Sequence, residues 1–293
     1  MKFRTEFKET PSSLRIDPRH PAVLIGSCFT QNIARKMTEC QWESFCGAGT
    51  LYNPLSIARV LDLLVFSDDF HSTLTESMFQ SEGLVHSWLF DTHFSRHTAD
   101  ECRSVVEQCR RNLKDALERS QALVVTFGTA WCYFIDDEEK RNYVVANCHK
   151  MPQRMFTRRR ISVREISDEW TCIYRRLKSL YPNLTVIFTV SPVRHLKDGF
   201  EGNARSKATL LLAIEEICRN CNDCLYFPAY EIVTDDLRDY RFYAQDLVHP
   251  SESAVEYIWE LFRKTFIDPE GERILNEGNK RYKAMHHRKI TTD

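Results

Sequence analysis

The stretch Val23-Leu24-Ile25-Gly26-Ser27-Cys28-Phe29-Thr30 decides how the rest of the chain is read. A short apolar run stops at a glycine, a serine and a cysteine follow, and Phe29, Ile33, Ala34 and Met37 then recur at helical spacing to about Glu39. That pattern predicts a buried strand, Ala22 to Ile25, ending at the carboxyl edge of a sheet, with a helix starting at once. A hydroxyl at such a junction lies beside the unpaired amides of the first helical turn, which hold developing negative charge well. Ser27 is therefore the first candidate nucleophile. Cys28 is its rival, because a thiol beside those amides is also a competent nucleophile.

Moving outward, the same strand-then-polar-loop pattern repeats. Ala122 to Phe127 is apolar and stops at Gly128-Thr129-Ala130; Leu184 to Val190 is apolar and stops at Ser191-Pro192-Val193-Arg194-His195. Cys224 to Phe227 predicts a short final strand, and Asp246-Leu247-Val248-His249-Pro250 leads into a closing helix near Ser253–Phe266. Helical spacing fills the gaps: a helix from Pro54 to about Phe66 with Asn53 as its N-cap, one over 98–119 with a Thr98/Glu101 capping box, one over 162–180 and one over 204–218. Strands alternating with helices imply parallel strands with right-handed crossovers, hence a three-layer α/β/α sandwich with its site at the strands' carboxyl ends.

Two excursions interrupt the alternation. Ser77–Phe79 and Leu84–Phe90 predict a hairpin about Glu82-Gly83 within residues 70–97; Trp131–Phe134 and Tyr143–Val145 predict another across the acidic turn Asp136-Asp137-Glu138-Glu139, delivering Asn147-Cys148-His149-Lys150. Arg158-Arg159-Arg160 reads by default as a solvated loop, with contact to an anionic substrate group as the alternative. Residues 268–293 read as a charged tail, either a peripheral helix or without fixed structure.

Composition bounds the partners. The 293 residues carry 40 basic and 41 acidic side chains, a net charge of −1, so neither nucleic acid nor an anionic membrane is expected as a partner. The N-terminus has no apolar signal segment and no run approaches a membrane span, so a cytoplasmic location is expected. Eleven cysteines fit free thiols there. Cys218-x-x-Cys221-x-x-Cys224 lacks a fourth matched ligand, and His71, His86, His93 and His97 have no metal-ligand spacing; no metal or cofactor is expected.

A serine needs a base to take its proton, and a carboxylate to fix the base's tautomer. Asp246 and His249, three residues apart before a helix, supply that pair. Here the chain resembles the GSCFA family, on Gly26-Ser27-Cys28-Phe29 (with Thr30 where the family has Ala), Tyr52-Asn53-Pro54, Phe127-Gly128-Thr129-Ala130-Trp131, Asn147-Cys148-His149-Lys150, Ser191-Pro192-Val193-Arg194-His195 and Asp246-Leu247-Val248-His249-Pro250, over about residues 20–265. That family is similar to the SGNH (GDSL-like) hydrolases. The resemblance implies a flavodoxin-like sheet in one domain over residues 1–267, with Ser27 as nucleophile, His249 as base and Asp246 as orienting acid. By the same likeness Cys28 packs inward at the helix start.

One departure stands out: the third-motif asparagine of SGNH enzymes corresponds to Ala130, so the oxyanion must find another donor. Asn53, Asn147 and the backbone N–H of Ser27 or Cys28 are the candidates, and Gly128, Arg194 and His195 complete the oxyanion and substrate-binding set. The function expected is a serine-dependent acyl-ester hydrolase on a small-molecule or O-acylated carbohydrate ester. An O-acyltransferase on the same site, or a binding protein that keeps the cleft without the chemistry, are the alternatives.

Overall fold

The computed structural model describes residues 5–8, 11–135 and 143–286. In chain order the strands and α-helices are β1 (Ala22–Gly26), α1 (Phe29–Glu39), β2 (Ser44–Phe45), α2 (Pro54–Leu61), α3 (Phe70–Glu76), β3 (Met78–Ser81), β4 (Leu84–Ser87), α4 (Ala99–Arg119), β5 (Ala122–Phe127), β6 (Trp131–Ile135), β7 (Val144–Val145), β8 (Phe156–Arg160), α5 (Val163–Leu180), β9 (Thr185–Val190), α6 (Gly199–Asn220), β10 (Cys224–Tyr226), α7 (Ala229–Glu231), α8 (Glu252–Phe266) and α9 (Pro269–His286).

Every residue of β1, β5 and β9 is buried, which is what strands covered on both faces require. Alternation within them sorts the core. Val23 and Ile25 of β1, with Leu123, Val125 and Phe127 of β5, pack against α2, α4, α5 and α6. Ala22, Leu24, Ala122 and Val124 face α1 and α8. The five-stranded sheet is all parallel, in the order β10-β9-β5-β1-β2, which is the flavodoxin-like winding with its switch point between β1 and β5. The three-layer α/β/α architecture is thus present, and the carboxyl ends of β1 and β5 sit side by side at that switch point.

Local expectations meet the structure unevenly. Thr98 and Glu101 form their reciprocal capping box. The closing helix is capped two residues earlier than the pattern suggests, because Ser251 Oγ accepts from the Ala254 amide. The helix from Pro54 is α-helical only to Leu61 and widens to a π-turn over Asp62–Phe66. Arg158-Arg159-Arg160 belongs to a strand, not a loop: β8 pairs antiparallel with β6, so β7, β6 and β8 form a three-stranded sheet where a two-stranded hairpin is expected. The turn Asp136–Glu139 lies outside the described residues. In residues 268–293, α9 docks on the body with Leu275 fully buried. Among the described residues no helix is long and apolar enough to cross a membrane.

Candidate active site

β1 ends on a turn only glycine adopts without strain. Gly26 has φ +139°, and a Cβ there would lie 2.2 Å from the Thr126 carbonyl oxygen. The next two residues leave in different directions. Ser27 goes down: it is 1% exposed, its N–H donates to Thr126 O at 3.1 Å, and its Oγ is buried without a hydrogen-bond partner. Its Cβ sits against Gly128, where a side chain would be 3.3 Å from it. Cys28 goes up, into the N-cap of α1, and its Sγ lies 3.6 Å from His249 Nε2.

The other half of the pair arrives on the turn before α8. Leu247 takes a left-handed φ of +60°, which folds Asp246 back so that one carboxylate oxygen accepts the amides of Val248 and His249, each at 2.9 Å. The other oxygen lies 2.6 Å from His249 Nδ1. These amides, and then the imidazole, hold the Asp246 carboxyl down at about 2, so it is an anion at neutral pH. With Nδ1–H donating to Asp246, Nε2 is left to accept a proton from Cys28. Helix α8 is clamped to α1 by Lys36, whose ammonium lies 2.6 Å from Glu256, 2.8 Å from Glu252 and 3.1 Å from Glu39. That clamp fixes the turn carrying the base against the helix carrying the thiol.

The group in line with the base is therefore the thiol of Cys28, not the hydroxyl of Ser27, and Cys28 does not pack inward. It lines a cavity of about 840 Å³ together with His249, Asn53, Asn147, Arg194 and His195. Burial raises the Cys28 thiol above its ordinary value, although the amides of Phe29 and Cys28 itself oppose the rise. The thiol is thus held as S–H at neutral pH.

Of the expected oxyanion donors, Asn53 and Asn147 remain available, whereas the amide of Ser27, which donates to Thr126 O, and that of Gly128 do not. Asn53 caps α2 with Oδ1, which accepts from the Ser56 amide at 2.8 Å, and this leaves its NH₂ group on a residue that lines the cavity. Asn147 likewise spends Oδ1 on the His149 amide, at 2.7 Å. Gly128 is a correction. Its N–H donates to Tyr52 O at 2.7 Å, as Thr129 N–H does at 2.9 Å, so neither amide is free for a substrate oxygen. The amides of Cys28 and Phe29 at the start of α1 remain beside the thiol.

The carbonyl of Gly128 is held from below by a residue the sequence reading passes over. Lys207, 1% exposed, donates from Nζ to Gly128 O at 2.6 Å and to Ser191 O at 2.7 Å, joining the loops after β5 and β9. Burial depresses its pKa to about 7. His195, half-buried nearby, is pushed down to about 4, first by burial and then by the Lys207 charge, so it is neutral at pH 7. The missed signal is helical phase: Lys207 falls in register with Leu210, Ile214 and Ile217, the inward stripe of α6.

The far wall is the antiparallel sheet. On β6, Cys132 and Phe134 enter the core while Trp131 and Tyr133 face the cavity; on β8, Phe156 and Arg158 do the same. Arg158 pairs with Asp198 and stacks over Trp131 at 4.5 Å. Cys218, Cys221 and Cys224 lie away from this site as thiols raised by burial, and among the described residues no group of three or more His, Cys, Asp or Glu side chains is arranged to hold a metal.

None of the curated proteins compared with the chain matches it. A solved structure similar to it is a Corynascus thermopiles (Myceliophthora fergusii) carbohydrate esterase family 2 (CE2) enzyme plus carbohydrate binding domain, 11% identical, with a TM-score of 0.39, covering 91% of this chain and 69% of that one. The sequence pattern of the GSCFA family matches residues 21–262, and the chain belongs to the GSCFA family.

Proposed function

We propose that the protein is an acyl-ester hydrolase in which Cys28, not Ser27, is the nucleophile, His249 the general base and acid, and Asp246 the orienting carboxylate. The observation that carries this reading is the unbroken line from Cys28 Sγ to His249 Nε2 at 3.6 Å and from His249 Nδ1 to Asp246 at 2.6 Å. Contacts of this kind are loose before a substrate tightens them.

In the reaction, the Cys28 proton passes to His249 Nε2 as Sγ bonds to the ester carbonyl carbon. The resulting oxyanion is met by the amides of Cys28 and Phe29 and by the NH₂ of Asn53, which takes the part vacant at Ala130; one such donor contributes about 3 kcal/mol. Collapse breaks the ester C–O bond, the leaving alkoxide takes the proton from His249, and a thioester remains on Cys28. Water, deprotonated by the same imidazole, then releases the acid and restores the thiol. His249 and Asp246 have side chains 46% and 50% exposed, which supports water rather than a sequestered acceptor alcohol in the second step. A cavity of about 840 Å³ suits an ester of a small molecule or of a carbohydrate unit.

The test is labelling and turnover on one set of variants. Wild-type protein is expected to hydrolyse a short acyl ester of 4-nitrophenol and to be alkylated by iodoacetamide at residue 28. Cys28→Ala loses both, with kcat falling on the order of 10⁶-fold. Ser27→Ala keeps both. The opposite pattern, with fluorophosphonate labelling that vanishes in Ser27→Ala, returns the nucleophile to Ser27.

A further inference from the structure

The cavity is charged in a way the chain as a whole is not. The protein carries a net charge of −1, yet the side chains lining the cavity that are charged at neutral pH, histidines apart, are Lys150, Arg158, Arg194 and Lys197 against the single carboxylate of Asp198. Arg158 and Asp198 neutralise one another. The other three cations have no carboxylate partner among the described residues, and they reach the cavity from two segments, Lys150 after β7 and Arg194 and Lys197 after β9.

Arg194 and Lys197 are held by aromatic rings, and Lys150 projects from a constrained turn. Arg194 lies on the loop after β9, its guanidinium 4.9 Å over the ring of Tyr243 and 5.9 Å over that of Tyr240. Its own amide is within 3.5 Å of the Val248 carbonyl, one residue before the base. Lys197 donates from Nζ to Tyr133 Oη at 2.6 Å and lies 5.2 Å over that ring. Lys150 projects from a turn in which His149 and Lys150 both take left-handed backbone, φ 47° and 59°, which neither residue adopts without cost. The turn is kept by the His149 ring, whose Nε2 lies 2.9 Å from Ser87 O and 3.0 Å from Phe90 O, and by Asn147. Strain retained to aim a lysine into a cavity points to use of that lysine. Beside these charges the wall is apolar, with Met151 and Phe156.

Resting on the acyl-transfer reading above, we propose that the cavity is a site for esters that carry a negatively charged group, a carboxylate, sulfate or phosphate, seated among Arg194, Lys197 and Lys150 while Met151 and Phe156 cover the uncharged part. Three cations with low-dielectric walls concentrate an anion locally and draw it in from solution. A neutral ester of the same shape leaves three ammonium and guanidinium groups facing one another with no counter-charge.

The experiment compares esters that differ only in charge. One pair is 4-acetoxybenzoate and its methyl ester, with the charge on the alcohol side; the other is 4-nitrophenyl hemisuccinate and 4-nitrophenyl butyrate, with the charge on the acyl side. Wild-type protein is expected to favour the anion in at least one pair by roughly tenfold or more in kcat/KM, since a charge-assisted contact is worth about that factor. The preferred pair identifies which side of the ester bears the charge. The preference should shrink as salt is raised. Arg194→Gln, Lys197→Gln and Lys150→Gln keep most of each stem and should each lower the anion-to-neutral ratio. Equal kcat/KM within both pairs, independent of salt and of these variants, overturns the proposal.

Titration calorimetry with Cys28→Ala reads the same preference as binding, without turnover. If no ester is hydrolysed but the anions bind this variant more tightly than their neutral partners, the acyl-enzyme reading fails and the anion site stands. If the esters are hydrolysed and binding is indifferent to charge, the anion site fails and the acyl-enzyme reading stands.

Discussion

At the floor of the cavity Cys28 follows a strand whose five residues are all buried and which is paired on both sides, by β2 and β5. At the wall, Tyr133 and Arg158 stand on strands paired only with each other and with β7, and β8 has no buried residue. The floor is the edge of the hydrophobic core, so any shift there must move the core with it. The wall is a covering sheet with one face in solvent. On the function proposed above, the difference teaches where chemistry and where choice of substrate belong: bonds would be made and broken from the floor, and the wall would decide what is brought to it. Substitutions at the floor should therefore cost catalysis or folding outright, and substitutions at the wall should alter preference.

The most severe test of that division is Asp246→Asn. It keeps the shape of the turn but offers His249 an amide where it needs an acceptor, so kcat should fall by roughly 10⁴-fold with KM little changed. Steady-state kinetics on a short acyl ester measures it, and a change confined to KM would move Asp246 from floor to wall. Next is Gly26→Ala, which forces a Cβ to within 2.2 Å of the Thr126 carbonyl oxygen at a φ that L-residues avoid. Stability should drop by about 3 kcal/mol, read from urea midpoints. A neutral result would mean the strand end is more pliable than a core edge should be.

The third expectation concerns Lys207, which ties two floor loops together. Its pKa is depressed by burial to about 7 in the folded chain and is ordinary, near 10.5, in the unfolded one. Between those values the unfolded chain binds more proton than the folded chain, so stability rises with pH, by up to about 1.4 kcal/mol per unit. Below pH 7 both states are protonated and the slope from this group disappears. Urea midpoints at pH 6, 7, 8 and 9 should show the rise in wild type and lack it in Lys207→Met. Smallest is Tyr133→Phe at the wall, which removes only the oxygen that Lys197 touches. KM for an anionic ester should change by a few-fold, about 1 kcal/mol or less, with kcat unaffected.

The layered fold was legible because the burial pattern is simple. Runs such as Ala122–Phe127 and Thr185–Val190 are apolar throughout, and the helices between them keep a clean inward stripe. The turn Asp246–His249 was legible for a local reason: a carboxylate three residues before an imidazole needs only one turn to meet it. Which of Ser27 and Cys28 faces that imidazole was not legible. Side chains alternate predictably only while the backbone stays extended, and the φ of +139° at Gly26 resets the alternation one residue before the question arises. β8 was hidden because Arg158-Arg159-Arg160 looks like solvent-facing charge, whereas Arg158 is stacked over Trp131 and paired with Asp198, and Arg159 is stacked over Phe134 at 4.6 Å. The cation-lined cavity could not be seen in a net charge of −1, since the cations are gathered by folding from turns far apart in sequence.

The contact between Cys28 and His249 spans 221 residues of sequence. At a ribosomal pace of roughly 5–20 residues per second, the thiol is made roughly 10–45 s before its base. Throughout that interval the nascent chain holds the proposed nucleophile with nothing to take its proton. The clamp that sets the base over the thiol, Lys36 with Glu252 and Glu256, also waits for α8. On the reading proposed above, catalytic competence therefore comes late in synthesis, and a chain halted before the turn that leads into α8 carries the Cys28 thiol without its base.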